Sequence, residues 1–106
     1  MISFIKKRHA IQQESHKLIA LVHSRLPVGS EHRIRARRLT TKSATTVRQV
    51  VGSAAAFARE HNAGMLSRSY LANRVRWGLK DLGYSDEFVD SITASIVIAM
   101  EHAPGE

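Results

Sequence analysis

Proline placement constrains this chain more than any other feature. Its two prolines stand at positions 27 and 104, so residues 28–103 contain none, and the glycines fall mostly at segment junctions. A proline inside a helix removes a backbone donor and clashes with the preceding turn. Its absence leaves the interior free for helices, and apolar residues recur there with helical spacing. No segment shows the two-residue period of a half-buried strand, and there is no internal repeat or low-complexity tract. The strand propensity of Thr45–Val51 and Ile96–Ile98 lies within helical phase.

The first segment runs over about 3–26. On a helical wheel Phe4, Ile11, Leu18, Val22 and Leu26 fall together, and Pro27-Val28-Gly29 ends the run. Ser30 is a credible N-cap for a basic helix over about 31–39, with Glu31 near its positive end. From Thr40 to Thr46 the hydroxyl and β-branched residues disfavour helix. A break near 40–44 is therefore preferred over one continuous helix from 31 to 62, and the next helix is expected over about 45–62. Gly52-Ser53-Ala54-Ala55-Ala56 has little side-chain bulk, so another helix is expected to approach there.

Asn62-Ala63-Gly64 supplies a C-cap, and Ser67 is expected to cap a helix to Leu82 with Leu71, Val75, Leu79 and Leu82 inside. Gly83 stops it. Ser85 then caps a last helix over about 86–102, whose apolar residues cover more than half its circumference. A helix that apolar is central in a bundle or shared between subunits. These readings predict an all-α single domain over 1–106, a four- to five-helix bundle-like fold with the C-terminal helix central. At 106 residues the length suits one domain.

Charge is laid out unevenly. Residues 1–48 hold eleven Lys/Arg against two acids, and residues 49–80 hold five against one. Residues 81–106 hold six acids and no Lys or Arg, leaving a net +7 overall. Such segregation speaks of partners rather than of fold. The block Arg33-Ile34-Arg35-Ala36-Arg37-Arg38, followed by Lys42, is the first candidate for binding nucleic acid. Guanidinium forks suit phosphate oxygens and give affinity without reading sequence. A solvated surface, or pairing with the acidic C-terminal quarter, explains the same residues without a ligand.

The segment 62–83 has the loose outline of the second half of a helix-turn-helix, with Arg68, Arg74 and Arg76 available for phosphates. Its turn is longer than the usual three or four residues, and no wing follows. Tyr70, Arg74 and Trp77 form one stripe opposite Leu71, Val75 and Leu79. Exposed, that stripe is an interaction surface, with Tyr70 and Trp77 as interface anchors; sandwiched, it is core.

Other chemistry is not encoded in a recognisable motif. His9, His16 and His23 recur every seven residues, which places the imidazoles about 10 Å apart on one helix, too far to share a metal. His61 is in phase with the apolar face and is expected at the edge of the core. Asp86, Glu87 and Asp90 are explained by the helix dipole. There is no cysteine, phosphate-cradling glycine loop or HExxH sequence. No catalytic residue, metal or cofactor is expected.

The expected function is a small, basic, non-catalytic protein associated with nucleic acid through its Arg-rich helix. The alternative is a protein–protein or homo-oligomeric assembly module, a dimer first of all, without nucleic acid. No small-molecule substrate is evident. Lack of cysteine fits a reducing cytosol, and no apolar run approaches the ~20 residues that span a bilayer. Lys6-Lys7-Arg8 follows the apolar start, the reverse of a secretory signal. Association of the basic, amphipathic first helix with a membrane surface is a weaker third reading.

Overall fold

The computed structural model describes residues 2–29 and 41–102, with side chains from 7 and from 44 onward in the two parts. Among the described residues there are four helices and no strand: α1 (Ile2–Arg25), α2 (Thr41–Glu60), α3 (Met65–Leu82) and α4 (Asp86–Glu101). The helix expected over 31–39 and the side chain of Phe4 lie outside the described residues, whereas residues 41–44, where a break is expected, are already helical, so the helix expected over 45–62 starts about four residues earlier. No described helix is long and apolar enough to cross a membrane.

Each helix packs on two neighbours. α1 lies against α2 and α3, and α4 lies against the same two from the other side. The four helices thus form a ring in the order α1, α2, α4, α3, with α1 and α4 at opposite corners. The core is the set of inward stripes. α1 contributes Ile11, Leu18 and Val22, α2 contributes Val50, Ala54 and Phe57, and α3 contributes Leu71, Val75 and Leu79. α4 supplies the largest apolar share, with Phe88, Val89, Ile92, Ile96 and Met100 all buried. Burying a residue of this size stabilises by about 1.5–3 kcal/mol, so the ring closes on hydrophobic area.

α2 begins at Thr41, inside the stretch where propensity argues against helix. Thr46 is fully buried there. A few tenths of a kcal/mol of propensity per residue is small beside packing of the inner face. The turns close by backbone chemistry. Asn62 takes φ 49°, and the amides of Asn62 and Ala63 donate to the carbonyls of Arg59 and Ala58 at 3.2 and 2.9 Å. Gly83, at φ 104°, does the same for α3, with Gly83 and Tyr84 donating to Lys80 and Leu79. Both are Schellman closures, which need a residue tolerant of positive φ.

Two cap expectations come out differently. Ser85 caps α4, its hydroxyl accepting from the Phe88 amide at 3.3 Å. Ser67 does not cap α3, because the helix begins at Met65 after an extended Gly64 and Ser67 is buried inside the first turn. Tyr84 is a part of the core that helical periodicity does not reveal. It sits between helices, stacks on Phe88 with centroids 5.2 Å apart, and donates its phenol hydrogen to the Leu26 carbonyl. It therefore fastens the end of α1 to the α3–α4 turn. His61 stacks on Phe57 at 4.3 Å, at the margin of the core.

Candidate nucleic-acid interface

Arg33, Arg35, Arg37 and Arg38 lie outside the described residues, as does the side chain of Lys42 in the first turn of α2. The remaining candidates are on α3, and the helix divides them between its two neighbours. Arg76 and Lys80 face α4. There Arg76 meets Asp90 at 3.3 Å and Lys80 meets Asp86 at 3.5 Å. Arg68 is on the same side, in a shallow hollow of about 70 Å³ with Met65, Ser69, Val97 and Glu101. Partly exposed pairs such as these add little stability, about 0–1 kcal/mol each. Their consequence is electrostatic, because acids of the C-terminal quarter sit beside bases of the same chain.

Arg76 is further committed to that seam. Its Nε is buried with no hydrogen-bond partner, and a desolvated donor of this kind is costly. Its side chain is nevertheless 40% exposed, so it is the pairing with Asp90 that competes with an outside phosphate.

Arg74 faces α1 instead. Its Nε donates to Ser15 Oγ at 3.3 Å, and its guanidinium stands 5.8 Å from the Tyr70 ring centroid. Tyr70 is the hub of this side. Hydrogen bonds from Gln12 first, then from Arg8 and Arg74, stabilise its phenolate and hold its pKa down to about 8. The phenol thus marks a cationic corner built from Arg8 on α1 and Arg74 on α3. Sequence reading singles out Tyr70, Arg74 and Trp77 but not Arg8 or Gln12, since no pattern along the chain says which helix α1 packs on.

Below this corner an open groove of about 410 Å³ runs between α1 and α3. Ile19 and Gly78 form its floor. Tyr70, Asn73, Arg74 and Trp77 line it from α3, His16 lines it from α1, and Asp81 closes the far end. Gly78 permits the floor, since a Cβ there would stand 2.3 Å from Ile19 Cδ1. The small-residue stretch 52–56 is approached at Ala54, which is fully buried, whereas Gly52 itself faces open space, an added Cβ there meeting nothing within 4 Å. Its neighbour Ser53 donates to Glu14 Oε2 at 2.7 Å.

Trp77 is 59% exposed, with the Lys80 ammonium 5.2 Å from its ring centroid. It is thus an outward residue of the α3 stripe, while Tyr70 is half-buried. His9, His16 and His23 are all exposed on α1. Among the described residues no group of His, Asp and Glu has the arrangement to hold a metal ion. Compared with known proteins, the chain matches no family model, no curated protein and no solved structure.

Proposed function

We propose that the protein is a small, basic, non-catalytic binding protein that associates with nucleic acid, with Arg33, Arg35, Arg37, Arg38 and Lys42 as its principal phosphate-binding residues. The observation that carries this reading is the direction in which the acids face. Asp90 and Asp86 lie on Arg76 and Lys80 of α3. Residues 1–48 meanwhile hold eleven bases to two acids. A polyanion is the complement of such an excess, and phosphate contacts of this type bind without reading sequence.

Gel retardation across a salt series tests it. Log K is expected to fall by about 0.9 per log unit of salt for each duplex phosphate neutralised. Arg35, Arg37 and Arg38 changed together to Ala should abolish retention while circular dichroism stays helical. Retention that survives the triple change removes these residues from the proposal.

One observation favours the second reading, an assembly module. Leu66 and Trp77, both more than half exposed, lie on the outward side of α3. Large exposed apolar residues on one helix face can meet a second copy. A solution mass that rises with concentration would support it.

A further inference from the structure

We infer that the groove between α1 and α3 receives a single strand of nucleic acid, with an unpaired base against Trp77 and an adjoining phosphate against Arg8 and Arg74. This rests on the nucleic-acid reading above and gives it a substrate class. Four features of the groove point the same way.

The first is the indole. Leu71, Val75 and Leu79 fill the inner side of α3, and Trp77 stands clear of them at 59% exposure. It is a broad apolar surface that the fold leaves open to a ligand. The second is the floor. Gly78 carries no side chain and Ile19 packs against it, and the two give the groove an apolar floor beside the indole.

The third is charge. Arg8 and Arg74 converge on Tyr70 at one end of the groove, and Asp81 stands at the other. Arg74 and Asp81 are seven residues apart, about 10 Å along the helix axis. Trp77 falls between them. A phosphate is attracted to the first end and repelled from the second, which fixes the direction in which the base reaches the indole.

The fourth is the nature of a stacking surface. A base in a duplex has both faces covered by its neighbours, whereas an unpaired base offers one to an aromatic ring. An exposed tryptophan beside two arginines therefore favours single strands.

Trp77 is the only tryptophan in the chain, so its fluorescence reports on the groove directly. The unmodified protein is titrated with oligo-deoxythymidylate and, separately, with the same strand annealed to oligo-deoxyadenylate. Single strand should quench the indole and duplex should leave it nearly unchanged. Trp77→Ala should weaken single-strand binding by about 5- to 150-fold, the usual loss of one stacked base. Trp77→Phe should recover most of it, and Asp81→Asn should tighten it.

Single strand that binds without altering the fluorescence overturns the inference. So does Trp77→Ala binding as tightly as the native chain, or dissociating a dimer with strand affinity unchanged. If neither oligonucleotide binds, the failure lies with the nucleic-acid reading itself.

Discussion

Tyr70 shows how a single side chain acquires an unusual property from its neighbours. Hydrogen bonds from Gln12, Arg8 and Arg74 favour its phenolate and hold its pKa near 8. Because the folded value lies below the unfolded one of about 10, this group adds stability as pH rises above 8. That contribution is lost as pH falls back through 8. A phenolate also competes with phosphate for Arg8 and Arg74; His16 and Asp81 are the other titratable groups lining the groove. Strand affinity should therefore drop above pH 8, and Tyr70→Phe should remove that drop. Ultraviolet titration of tyrosinate checks the premise: one step near 8, absent in Tyr70→Phe and shifted upward in Gln12→Ala. Two ordinary tyrosine titrations would sink it. The stripe of Tyr70, Arg74 and Trp77 is legible in the sequence because its members share one helix. Arg8 and Gln12 join it only through tertiary packing, which residue spacing does not encode.

Between elements, one close contact sets Gly78 against the Ile19 side chain. A glycine inside a helix costs about 1 kcal/mol relative to alanine, and here it lets α1 settle over α3. Gly78→Leu should destabilise the protein by about 1–3 kcal/mol, the usual penalty of overpacking. Ile19→Ala in the same chain should recover part of that loss, and denaturant midpoints measure both. An unchanged midpoint would mean that Ile19 moves aside at no cost.

The inner stripes of the helices were readable because burial imposes a period of 3.6 residues on apolar side chains, except at the end of α3, where Leu82, expected inside, is 39% exposed. Contacts outside that period were not. Gly52 and Gly78 both sit within helices, and nothing local distinguishes the exposed one from the one pressed against a neighbour. Ser67 has the chemistry of a cap but lies beyond the first residues of its helix. Tyr84 belongs to a turn, where no wheel can place it.

At the scale of the molecule, charge segregation along the chain is only partly preserved in space. The acids at Asp86 and Asp90 are drawn to Lys80 and Arg76, an arrangement that follows from α3 and α4 being neighbours in the ring. A sequence can give the totals for each segment but not which segments touch. The phosphate-binding role assigned to Arg33, Arg35, Arg37 and Arg38 rests on composition, whereas the α1–α3 groove rests on geometry. The groove builds on the nucleic-acid reading rather than supporting it independently, and the arginine and tryptophan variants probe the two separately.

The ring order carries one more consequence. α1 holds five basic residues to one acid, α4 holds four acids and no base, and the two occupy opposite corners. Among the described residues the charge is therefore lopsided, with a heading: in the field of a polyanion this asymmetry favours turning the first helix forward before any contact forms. Exchanging charge between the corners, Arg25→Glu with Glu101→Lys, keeps the net +7 but blunts that heading. Association at low salt should then slow, by up to about tenfold, and stopped-flow rates of the two proteins should converge near 1 M salt, where the screening length is about 3 Å. Equal rates at low salt would mean that encounter is governed by total charge alone.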